Sequence, residues 1–181
     1  SDRALAALEP YKATFADTLL ARWRAKLGLQ AAEADADDRA LIDDLLRLMA
    51  ADRCDFTITF RRLSGFVPGA ENAAVRDLFI DRPAFDAWAL RYAARLEREA
   101  SNDAARALRM NRVNPMFVLR NHLAEVAIRE ARAGEFGETA RLLKVLERPF
   151  DEDVESDPAT RERYAGFPPD WAQAIEVSCS S

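Results

Sequence analysis

The chain has 181 residues (20.3 kDa), 49% of them hydrophobic and 31% charged, which is enough length and apolar content for a well-buried core and not the composition of a disordered segment. A net charge of −5 and a pI near 5.1 argue against a nucleic-acid coat, which needs a concentrated basic face. No apolar run approaches the roughly 18 residues of a membrane span, and two cysteines with one histidine are too few for a disulfide framework or a zinc site, so a soluble protein of a reducing compartment is expected, in the cytoplasm.

The predicted elements are helices. Pro10 can occupy the first turn of a helix in which Tyr11, Phe15, Leu19, Trp23 and Leu27 recur at every fourth residue, ending at Gly28. Asp37 and Asp38 offer a cap to a second helix with Leu41, Ile42, Leu45, Leu46, Leu48 and Met49 on its apolar side. Asp55 caps a third, short one, where Phe56, Phe60 and Leu63 share a face before Ser64-Gly65 and Pro68-Gly69 break it. Within it, Phe56 to Phe60 is the only β-leaning stretch.

A short helix is predicted over residues 72–80, and after Pro83 the residues Phe85, Trp88, Tyr92 and Leu96 form a regular stripe expected to pack in the core. Asn102 or Asp103 opens the next helix. Asn114-Pro115 reads as a cap and first-turn proline for a helix over 117–131, ended by Gly134. The last regular segment, 138–146, points Leu142, Leu143 and Leu146 inward and stops before Pro149. The expected architecture is therefore all-α: an irregular bundle of about seven helices over residues 1–149, then a loop-rich tail over 150–181 with short helical pieces at 161–164 and 169–174.

Several constellations invite chemistry. Asp151, Asp153, Glu155, Asp157 and Glu162 have the spacing of calcium-loop ligands, but Ser156 stands where that loop needs glycine, Pro158 follows, and Pro149 stops a helix from running in. A solvated acidic loop is the expectation. The six glycines spell no phosphate cradle, and Asp55-Phe56-Thr57 is two thirds of a kinase metal-binding triplet that reads more simply as a cap and a core aromatic. Arg61, Arg62 and the arginines from Arg91 to Arg112 alternate with acids, as on a salt-bridged helix surface.

His122 is the sole imidazole, so a free-standing thiol enzyme would have to pair it with Cys179; no nucleophile elbow is present, and a packing or surface role fits its helical position better. Cys54 directly precedes a cap and reads as a small buried residue; a Cys54–Cys179 bridge would require Cα atoms within about 7 Å. The terminal VSCSS places Cys179 three residues from the end, where it is either incidental or there for its reactivity.

Six stretches together carry a resemblance: ARWRAKLGL (21–29), DFTITFRRLS (55–64), NPMFVLRNHLAEVAI (114–128), RPFDE (148–152), FPPDWA (167–172) and VSCSS (177–181). Their order and spacing resemble the C-terminal part of the selenoprotein O (SelO/YdiU) family, with Met116 and His122 departing from the lysine and tyrosine expected there. The resemblance implies a bacterial pseudokinase-like protein that binds ATP in an inverted orientation and, with magnesium, transfers AMP to hydroxyl groups of other proteins. It also implies that the nucleotide and metal ligands lie in a kinase-like region upstream. No catalytic, cofactor-binding or metal residue is then expected in this chain, whose start at Ser1 inside helical sequence reads as that of a fragment, inactive by itself.

Its implied partners are that upstream region and the protein substrates, with no nucleic acid and no membrane. Cys179 occupies the position of the family's terminal cysteine or selenocysteine, which implies a redox role by pairing with a cysteine of the kinase-like region. The alternative is a helical protein–protein interaction module without catalytic role.

Overall fold

A computed structural model of the chain describes residues 2–30, 35–155 and 157–175. The described residues are helical with no strand, in the order α1 (Asp2–Lys26), α2 (Asp35–Ala51), α3 (Phe56–Leu63), α4 (Ala73–Arg76), α5 (Arg82–Arg98), α6 (Asp103–Asn111), α7 (Asn121–Arg132), α8 (Gly137–Leu146), α9 (Pro158–Ala165) and a short 3-10 helix (Asp170–Ala174). The all-α expectation holds. They form two compact units, Ser1–Val113 and Asn114–Ser181, whereas the sequence suggested a division at 149/150. The difference lies in Val154 and Tyr164, which pack into the same cluster as Phe117, Leu123, Ala127, Leu142 and Val145.

In the first unit α5 is the central element. Its start is fixed by Asp81, whose carboxylate accepts from the Ala84 N–H at 3.0 Å, with Pro83 in the first turn where no amide partner is lost. Phe85, Trp88, Tyr92 and Leu96 are all buried, and the rings form a continuous run: Phe79 to Phe85 at 4.6 Å, Phe85 to Trp88 at 5.7 Å, Trp88 to Tyr92 and Tyr92 to Phe66 each at 5.0 Å. Burying Trp and Tyr requires partners for their polar tips. The Trp88 indole N–H donates to Leu41 O at 2.9 Å and the Tyr92 hydroxyl to Leu27 O at 2.6 Å, tying α5 to α2 and to the end of α1.

Gly28 closes α1 in the left-handed region (φ +70), with the Leu29 N–H bonded back to Arg24 O at 2.9 Å. At that point α6 lies so close that a Cβ on residue 28 would meet Arg106 Cγ at 2.5 Å and Met110 Sδ at 2.9 Å. Asp55 caps α3 by accepting from the Ile58 N–H at 2.9 Å, so the β-leaning 56–60 stretch is helical.

Four sequence expectations are corrected. α1 begins at Asp2 and carries Pro10 inside, because the Ala- and Leu-rich stretch before it has high helix propensity and offsets the lost amide bond. α4 is a single turn: Asn72 (φ +54) bonds through its side chain to Val67 N, Val67 O and Ala70 O, closing the 67–72 loop and delaying the helix. α7 starts at Asn121, four residues later than expected, since the Met116 and Phe117 N–H groups both donate to Pro149 O at 2.7 and 3.1 Å and hold 114–120 out of the helix. In α8 Leu142 and Val145 are buried and Leu146 packs against their cluster as expected, but Leu143 is exposed.

Candidate functional site

The first unit contains a buried charge cluster that joins three helices. Asp38 of α2 accepts from Arg24 of α1 at 2.6 Å and from Arg95 of α5 at 2.8 Å, and Arg95 also reaches Glu99 at 3.1 Å. Burial alone pushes the Asp38 carboxyl up, but hydrogen bonds and charge from Arg95 and Arg24 outweigh it and hold the group below the ordinary carboxylate range. Arg106 of α6 is likewise buried, donating to Asp103 at 2.6 Å and to Phe66 O. Two arginines assigned by sequence to the helix surface, Arg95 and Arg106, are thus internal braces, and half-buried Arg61 donates to Asn111 O; Arg91 and Arg98 do behave as expected, pairing with Asp44 and Asp37. These groups engage one another and nearby carbonyls, with Arg106 Nε left buried without a hydrogen-bond partner. Their chemistry is structural.

Cys54 is half-buried, its Sγ donating to Leu78 O at 3.1 Å. Burial, followed by the nearby Asp52 charge, pushes its thiol up to about 11, the opposite of what a nucleophile needs. The acidic run is spent on local turns and caps: Asp151 accepts from Asp153 N at 2.8 Å, Glu155 from Asp157 N at 3.0 Å, and Asp157 caps α9 through Thr160 N at 2.8 Å. Among the described residues no group of three or more His, Cys, Asp or Glu side chains is arranged to hold a metal ion. The arginines above are engaged by carboxylates and carbonyls, and none of the described residues is assigned as a nucleotide or magnesium ligand.

The second unit brings together three of the stretches singled out in the sequence. Pro149 of RPFDE accepts from Met116 and Phe117 of NPMFVLRNHLAEVAI. His122, in the first turn of α7 and buried, meets the Trp171 ring of FPPDWA edge-on at 6.1 Å and 87°. Burial, then the positive charges of Arg120 and Arg163, push the His122 imidazole down, so it is neutral at pH 7 and serves as packing. Glu125, Arg129, Trp171, Ala174 and Ile175 line a shallow cleft beside it. His122 and Trp171 therefore join the start of α7 to the 3-10 helix. Cys179 itself lies outside the described residues.

One group escaped sequence reading. Glu138 is fully buried, accepting from the Tyr164 hydroxyl at 3.1 Å on each oxygen and from Arg163 at 2.9 Å and Arg141 at 3.3 Å, so α8 and α9 are clamped through a carboxylate. Nothing in the sequence separates it from any other acid in a first helical turn.

Compared with known proteins, the family described as Protein adenylyltransferase SelO matches residues 2–147. The chain belongs to the SelO family. A Protein nucleotidyltransferase YdiU of Paraburkholderia xenovorans (strain LB400) is 56% identical over 173 residues, which is 94% of this chain and 32% of that relative. The proteins of the same description from Burkholderia multivorans (strain ATCC 17616 / 249) and Burkholderia vietnamiensis (strain G4 / LMG 22486) are 55% and 53% identical, each match covering 99% of this chain and 34% of the relative. The chain spans about a third of the length of these SelO-family relatives. Among the described residues no helix is long and apolar enough to cross a membrane.

Proposed function

We propose that the chain is the C-terminal helical region of a SelO-family protein adenylyltransferase, a bacterial cytoplasmic enzyme that moves AMP from ATP to hydroxyl groups of other proteins. ATP and magnesium are held by a kinase-like region outside these residues, and this chain is inactive by itself. The observation that carries the reading is the combination of a family match over residues 2–147 with relatives three times as long. The internal chemistry agrees with an architectural part: its buried charges brace helices, Cys54 is a poor nucleophile, and His122 packs against Trp171.

Cys179 is the redox residue of this reading. Oxidation by a disulfide such as glutathione disulfide joins its sulfur to a cysteine of the kinase-like region, with two thiol protons and two electrons passing to the oxidant, and the tail then restricts access to the centre. Before this tail lies the 3-10 helix Asp170–Ala174, whose Trp171 meets the His122 ring. The test uses full-length protein and labelled ATP: native enzyme and Cys179→Ser are compared under oxidising and reducing conditions. Activity of the native form should fall on oxidation and that of the variant should not. Equal activity in all four cases removes the latch.

A further inference from the structure

The apolar stripe Tyr11, Phe15, Leu19, Trp23 and Leu27 turns into the core only at its C-terminal end. Leu27 is fully buried and Trp23 packs on the core cluster, yet Tyr11, Phe15 and Leu19 are 61%, 50% and 42% exposed. The exposed part is ordered into a surface. Tyr11 and Phe15 stack at 5.7 Å, and at the foot of the stripe Trp23 meets Phe56, itself 44% exposed, at 6.1 Å. From residue 11 to residue 23 the helix advances about 18 Å, so an aromatic ridge runs from the core out along α1. Contiguous exposed aromatics of this kind mark a contact surface, not a solvated face.

We propose that the ridge formed by Tyr11, Phe15, Leu19 and Phe56 is the docking face for the kinase-like region of the same polypeptide; the proposal rests on the functional reading above. Two observations select this occupant. The matched relatives carry about twice as much chain again outside the aligned part, since the match covers 32–34% of their length, and the family match includes α1 from residue 2, so the ridge belongs to the shared architecture. The ridge is also small. Three side chains on α1 and one on α3 bury far less than the roughly 800 Å² per partner of a stable association between separate molecules, whereas covalent linkage raises the effective concentration to the millimolar range and makes a small apolar contact sufficient. A second copy of the chain lacks that advantage.

The test places a photoreactive benzoylphenylalanine at Phe15 in the full-length protein, mixed in equal parts from isotopically light and heavy cultures. The expected product is a cross-link between Phe15 and a peptide outside residues 1–181 within a single copy. Cross-links joining light to heavy copies, or no cross-link to any such peptide, overturn the proposal. As a second reading, amide exchange over residues 11–19 should become about tenfold faster in full-length Phe15→Asp/Leu19→Asp than in the native protein; unchanged exchange also overturns it. AMP transfer by the native protein is assayed alongside. An internal cross-link without transfer would retire the enzymatic reading and keep the docking face, and transfer without a cross-link would do the reverse.

Discussion

The Arg95 guanidinium donates to the Asp38 carboxylate at 2.8 Å with only 2% and 1% of the two side chains exposed, and this pair, with Arg24 on the second Asp38 oxygen, pins α1, α2 and α5 together. Removing one partner strands a buried charge. Asp38→Ala should therefore destabilise the first unit by about 3–5 kcal/mol, read as a drop in urea midpoint at pH 7. The carboxyl is held below its ordinary value in the folded state, so the unfolded chain binds the proton more readily. The pair's contribution is then fully present above the usual carboxylate range and is lost as pH falls through the folded value. The urea midpoint of the native chain should decline in that acid window more than that of Asp38→Ala; parallel declines would deny Asp38 this role.

Gly28 and Gly69 both sit at positive φ, +70 and +78, but only Gly28 is crowded by α6. Each Gly→Ala change incurs backbone strain of about 1 kcal/mol. Gly28→Ala should cost at least about 1 kcal/mol more, because Arg106 and Met110 must move. Thermal unfolding of the two variants measures the gap, and equal losses would mean that the α1–α6 approach is looser than described.

Cys54 should be slow to alkylate. With the thiol pushed up from 9.0 to about 11 by burial and by Asp52, its thiolate population at pH 8 is roughly a hundredfold below that of an unperturbed thiol. Iodoacetamide labelling of the native protein at pH 8, with Cys54 followed by mass spectrometry, should be slower by at least tenfold than labelling in urea. Equal rates would show an accessible, ordinary thiol.

The helical class, the central α5 stripe and the caps at Asp55 and Asn102 were legible because each rests on local chemistry: a 3.6-residue period or a short side chain beside an open amide. Misreadings arose where a distant group decides. The start of α7 depends on Pro149 O, far along the chain beyond α8, and the burial of Arg95, Arg106 and Glu138 depends on partners outside their own helices that no local pattern announces. The α1 stripe was legible as apolar, yet periodicity cannot say whether a face meets its own core or another surface. Family membership came from six separated stretches; the structure adds that three of them converge on one another in the second unit.

The central claim is that these residues support nucleotidyl transfer without performing it. The most direct measurement incubates ATP labelled at the α-phosphate with protein substrates and magnesium, comparing the full-length protein with residues 1–181 alone. The account predicts label on protein with the full-length enzyme and none with the 181-residue chain. Label transferred by the 181-residue chain, or none by the intact enzyme, would contradict it.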